Sequence, residues 1–139
     1  MLKHLPLGLL TGLKVLELDN KKAVVSVPFK YLNKNPFRSV YFAVLSMAAE
    51  LSSGILALSV LHEINAPVSM LVLKMKADFL KKAKTKITFS CKDGDKITQA
   101  IDKCLESGEG EIIEVQTSGY DINGEKVADF WFTWTFKKK

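Results

Sequence analysis

Glu50 is the only charged side chain between Arg38 and Glu63, midway along an apolar run from Ser39 to Leu61. A carboxylate in such surroundings loses hydration and holds its proton more tightly, which suits it to act as a base towards water. A core glutamate paired with a lysine, or hydrogen-bonded to a serine, would sit in the same place, so both readings stand. Upstream, Asn35-Pro36 marks a turn that pushes Asn35 towards extended geometry. If the apolar run is helical, the first-turn N–H groups near Tyr41, Phe42 and Ala43 have no intrahelical acceptor and stand at the positive end of the dipole. Donors placed in that way suit a polarised carbonyl oxygen.

The elements that must position these groups can be read from periodicity. The apolar run contains no proline and is rich in Ala, Leu and Met, so it reads as one long helix with Ser39 as N-cap. Asn65-Ala66-Pro67 stops it. On that helix Ala43, Ser46, Met47, Glu50, Ser53, Gly54 and Ala57 share one stripe. Its small side chains let another backbone approach closely, from a sheet or a second subunit. A strand is expected over Lys22 to Lys30, with Pro28 near its end. Period-two alternation sets Leu73 and Met75 against Lys74 and Lys76, and Ile87, Phe89 and Cys91 against Thr88 and Ser90. These two strands are joined through the lysine-rich bend from Lys81 to Lys86. A shorter amphipathic helix, Asp95 to Ser107, puts Ile97, Ile101, Cys104 and Leu105 on one face and ends at Gly108. Two final strands flank Asn123-Gly124, a hairpin signal, and Phe130, Phe132, Trp134 and Phe136 line one face of the last. A helix apolar nearly all round must be buried nearly all round. The expected fold is α+β, a curved antiparallel sheet wrapped around the long helix, in a single domain spanning residues 1–139.

Composition excludes several classes. With 47% apolar and 25% charged residues over 139 positions, the chain is globular and not disordered. The long helix could span a bilayer by length, but Glu50 at its centre would cost about 3 kcal/mol on insertion. The downstream strands also need an apolar partner, so a sheet-covered helix is expected and a membrane span is not. Pro6 and Gly8 break the N-terminal apolar patches and no cleavage site follows, so no signal peptide is expected, and a cytoplasmic location is the expectation. Cys91 and Cys104 are isolated thiols, read as reduced core residues. The two histidines, His4 and His62, are far apart, so no metal site is expected. His62 reads as a favourable partner for the helix C-terminus. The net charge of +5 favours anionic partners. Without an aromatic platform or finger spacing, nucleic acid is not expected, and a phosphate-bearing handle fits.

The stretch NPFRSVYFAVLSMAAELSSG resembles the motif of hotdog-fold thioesterases of the phenylacetyl-CoA type, N-P-x-G-T-x-H-G-G-x-x-x-x-L-x-D-x-A-x-G. Asn35 stands at the motif's asparagine, Ser39 at its threonine, Tyr41 at its histidine, Glu50 at its acid and Gly54 at its closing glycine. ADFLKKAK resembles the family's F-L-R-P-A-K-like turn, and INGEKVADFWFTWTF its D-G-K-L-V-A closing hairpin, so the resemblance runs from about residue 20 to 137. It implies a hotdog fold and hydrolysis of an acyl-CoA or acyl-carrier thioester. Glu50 would be general base or nucleophile, Asn35 would hold the nucleophile or carbonyl, and Phe42 or Ala43 N–H would stabilise the oxyanion. It further implies that Lys81, Lys82 and Lys84 meet coenzyme A phosphates, with no cofactor beyond the substrate itself. The active site would lie between two subunits of a homodimer or dimer of dimers. Tyr41 departs from histidine, and Phe42-Ala43 replace a glycine pair that lets the thioester approach the backbone, so Phe42 narrows or reshapes that channel. Arg38 replaces a loop glycine and is placed to pair with Glu50 or a ligand phosphate. Ser69 is a candidate second contact to the same water. These departures equally suit a non-catalytic acyl-binding domain of the same fold.

Overall fold

A computed structural model describes residues 6–65 and 67–139. The leader-peptide expectation and the helix stop at Ala66 rest partly on residues 1–5 and 66, which lie outside those described. In chain order the elements are α1 (Pro6–Thr11), β1 (Lys14–Leu18), β2 (Ala23–Val27), a 3₁₀ turn (Tyr31–Asn33), α2 (Phe42–Ile64), β3 (Val68–Phe79), β4 (Ile87–Cys91), α3 (Gly94–Ser107), β5 (Glu111–Tyr120) and β6 (Lys126–Lys138). Six strands form one antiparallel sheet in the order β1-β2-β4-β5-β6-β3. The helix α2, 23 residues long, packs on its concave side.

Alternation builds the core. Phe130, Phe132, Trp134 and Phe136 of β6 are buried together with Phe89 and Ile87 of β4, Val25 and Val27 of β2, and Leu56, Ala48 and Ala57 of α2. Ile97, Ile101 and Cys104 of α3 close one end, on the single apolar face expected of that helix. Gly54 lets α2 approach closely, since a Cβ there would lie 3.4 Å from the Trp134 ring. Two buried hydrogen bonds fix the helix on the sheet. Ser52 Oγ lies 2.7 Å from Thr117 Oγ1 of β5, and Trp134 Nε1 donates to Ser53 Oγ at 3.0 Å. Within the most apolar part of α2, 67% of the residues are buried inside the protein, the pattern of a core helix rather than a span.

One expectation needs correction, and two features of the fold were not read from the sequence. The helix starts at Phe42 with Tyr41 as N-cap, not at Ser39. Long-range bonds hold the preceding residues out of the helix: Val40 N–H donates to Ala83 O at 2.8 Å and Tyr41 N–H to Asn33 O at 2.8 Å. Chain neighbours around the lysine-rich bend do not pair, because β3 leaves to the far edge of the sheet while β4 lies between β2 and β5. The strand β1 and the short α1 carry no sequence signal that survives Pro6 and Gly8, and β1 is mostly exposed on its edge. The β5–β6 connection does turn at Asn123-Gly124, with Gly124 at φ 79°, but Asp121 closes it by accepting from both Asn123 and Glu125 N–H.

Candidate active site

The loop before α2 is tied into a small knot by Asn35. Its Oδ1 accepts from Phe37 N–H at 2.9 Å, Ser39 N–H at 3.1 Å and Ser39 Oγ–H at 3.2 Å. Its backbone N–H donates to Ser39 O at 2.8 Å. The side-chain NH₂ of Asn35 makes no hydrogen bond among the described residues and remains a free donor. Arg38 sits in the left-handed region at φ 61°, which explains why a glycine suits this position.

At the helix start, Tyr41 O accepts from Val44 N–H at 3.0 Å and Leu45 N–H at 3.1 Å. No side chain caps the helix, so the N–H groups of Phe42 and Ala43 have no acceptor among the described residues. Beside these donors lies a cleft of about 560 Å³, walled by the 35–42 loop on one side and residues 79–83 on the other. The Val40–Ala83 backbone bond staples the two walls together. Phe37, Phe42, Leu45, Phe79 and Leu80 make the cleft mainly apolar, with Asn35 and Lys82 as polar groups on its lining.

Of the residues singled out from sequence, the cleft gathers Asn35, Tyr41, Phe42, Lys81 and Lys82. Lys81 is already engaged: its ammonium pairs with Asp121 at 3.1 Å and with Glu125. These carboxylates, Glu125 first, raise its pKa above the ordinary value. Lys82 and Lys84 are exposed, with no ion pair among the described residues. Ser69 sits at the other end of β3 from the cleft, donating to Lys137 O at 3.2 Å, so one chain does not bring it to this site. Arg38 lies on the exposed outside of the loop and pairs with no carboxylate among the described residues. Glu50 is outside the cleft lining as well. At 1.5 Å rise per residue it lies about 12 Å along α2 from Phe42.

Glu50 occupies the open part of the α2 stripe. Below it Ser53, Gly54 and Ala57 are buried, whereas Ala43 and Glu50 are exposed and Ser46 and Met47 half-buried. No cation pairs with Glu50 among the described residues. Its carboxyl still sits against apolar neighbours, and the resulting desolvation pushes its pKa above the ordinary 4.5. The sheet continues past the helix here: inner-face residues Met75 and Phe79 of β3 are 46% and 51% exposed.

Sequence reasoning missed the second wall of the cleft. Phe79 and Leu80 fall within ADFLKKAK, but nothing local says that this segment meets residues 35–42; the pairing is made by Val40 and Ala83 across the fold.

A family of domains of unknown function, DUF4442, matches residues 5–136. The chain belongs to that family. No curated protein matches it by sequence. Among solved structures, a Pseudomonas aeruginosa protein of unknown function named as a probable thioesterase superposes with a TM-score of 0.88 at 22% identity, covering 99% of this chain and 91% of that one. A Chlorobaculum tepidum protein of unknown function gives 0.83 at 18% identity, covering 99% and 89%. A Haemophilus influenzae thioesterase gives 0.72 at 12%, covering 95% and 82%. At these identities the likeness establishes the fold, and this DUF4442 chain has the hotdog fold that its motif resemblance implied.

Proposed function

We propose that the protein hydrolyses acyl thioesters, carried on coenzyme A or an acyl-carrier protein, and does so as a homodimer. The observation that carries this reading is the pair of N–H groups at Phe42 and Ala43 without an acceptor among the described residues, at a helix start whose Phe42 lines an apolar cleft with a free lysine at its edge. A thioester carbonyl placed there would find two preorganised donors for the charge that develops on its oxygen. Asn35, with its carbonyl spent on the loop and its NH₂ free, would orient the carbonyl or the attacking water. Glu50, unpaired and with a raised pKa, would take the proton of that water and return it to the departing thiolate, or attack the carbonyl directly.

The separation of about 12 Å between Glu50 and the helix start is too great for one carbonyl to meet both in a single chain. A second copy resolves it. The outer edge of β3 is twelve residues long and unpaired among the described residues, and its inner face leaves Met75 open. Two such edges joined antiparallel would cover Met75 and carry the partner subunit's Glu50 towards the Phe42 end of α2. The 23-residue helix would then expose its open stripe to the interface.

Thiol release from a panel of acyl-CoA esters tests the proposal. Turnover that falls at least about 100-fold in Glu50→Gln supports it; no turnover at any chain length, or full activity in that variant, rejects it. The bulk of Phe42 at a position where the resembling motif has glycine favours a second reading, an acyl-binding domain without hydrolysis. Ligand-dependent stabilisation with no thiol release would establish that one instead.

A further inference from the structure

We propose that Phe42 and Phe79 together form the end wall of the acyl site and set the size of the acyl group accepted. The inference rests on the thioester reading of the cleft and goes on to name what limits its substrate. The two rings meet edge to face across the cleft, with centroids 6.4 Å apart and planes at 82°. Each has a second ring against it. Tyr41 packs on Phe42 at 5.0 Å, and Phe130 packs on Phe79 at 5.6 Å. Phe130 is itself fully buried, stacked on Phe132 at 5.9 Å and in edge contact with Phe89 at 5.6 Å. A continuous series of rings therefore runs from the cleft into the core, and its buried members leave Phe79 nowhere to retreat.

The two gate rings differ from those behind them. Phe42 is 57% and Phe79 51% exposed, so both present a face to the cleft while Phe89, Phe130 and Phe132 are packed. Phe42 is also the residue whose N–H is a candidate oxyanion donor, so its ring stands within one side chain's length of the reacting carbonyl. An apolar chain attached to that carbonyl finds the apolar lining of the cleft, with Leu45 and Leu80 beside the Phe42–Phe79 pair, while the anionic portion finds Lys82. The occupant is thus an unbranched or aryl acyl group short enough to end against the Phe42–Phe79 pair. Longer chains must displace a ring that Phe130 supports.

The experiment compares wild type with Phe42→Ala, Phe42→Trp and Phe79→Leu. Phe42→Ala keeps the backbone N–H, and Phe42→Trp changes the gate in the opposite sense, so a fold defect cannot imitate both. Two readouts are taken over saturated chains of six to sixteen carbons (about, in steps of two): thiol release from acyl-CoA and calorimetric binding of the free fatty acids. Wild type should favour the shorter members. Phe42→Ala and Phe79→Leu should raise the long-to-short ratio about ten-fold or more, and Phe42→Trp should lower it. Unchanged ratios in all three variants would overturn the inference even if wild type is an active thioesterase. If wild type releases no thiol yet its fatty-acid preference still moves with Phe42, the gate stands and the hydrolase reading falls. Absence of both turnover and binding would sink both.

Discussion

Glu50 and Arg38 show how single residues in this chain carry opposed local and global demands. Desolvation raises the folded-state pKa of Glu50, so the folded protein binds that proton more tightly than the unfolded chain. Its contribution to stability is therefore fully present below the ordinary 4.5 and is lost as pH rises through the folded-state value. Glu50→Gln, which mimics the protonated form, should match wild type in thermal midpoint at acid pH and exceed it near neutrality. Melting curves taken from below the ordinary 4.5 up to neutrality check this, and a variant less stable at neutral pH would show that the carboxylate has a cationic partner. Activity should rise with pH with an apparent pKa above 4.5, since only the carboxylate can accept a proton. Arg38 holds a left-handed backbone at φ 61° without glycine. Arg38→Gly should stabilise the fold by about 1 kcal/mol in urea titrations.

At the scale of elements, the contact between α2 and β6 is set by one indole. Trp134 lies over Gly54 and donates to Ser53, and both partners are buried. Ser53→Ala leaves the Nε1–H without an acceptor and should cost about 1–3 kcal/mol by chemical denaturation. Conversion of Ser53 to Thr, which keeps the hydroxyl, should recover part of the loss. The unpaired edge of β3 makes a separate prediction: Met75→Arg should weaken self-association in sedimentation and reduce thiol release with it, because the inner face of that edge is where a second subunit would lie. What the sequence made legible at this scale was periodicity. The alternation of Phe130, Phe132, Trp134 and Phe136, the amphipathic α3 and the turn at Asn123-Gly124 are local signals, and local sterics enforce them. The helix start was misplaced because Val40 and Tyr41 spend their N–H groups on Ala83 and Asn33, residues that no local pattern connects to them. Phe79 was missed as a site residue for the same reason.

Across the whole molecule, burial separates the groups available for chemistry from those that are not. Cys91 and Cys104 are both fully buried. Burial pushes the Cys91 thiol up to about 11, so thiolate is scarce at neutral pH. Alkylation by iodoacetamide should be negligible in the native protein and complete in denaturant; fast labelling of the native state would mean that the α2–sheet core opens readily. The α+β class and the carboxylate on the central helix were legible from residue types and spacing, and the hotdog arrangement from the motif resemblance. The cleft was not, because it exists only where two distant segments are stapled together.

The two tryptophans of the chain sit at opposite sides of a single strand. Trp134 points into the core beneath α2, bonded to Ser53 one turn from Glu50, while Trp131 is half-buried on the outer face with the Lys76 ammonium 5.2 Å from its ring. The molecule therefore carries two built-in optical probes with separate views. Iodide should dim the outer indole and spare the inner one, and a shift in the emission that survives the quencher would report events at the central helix in real time.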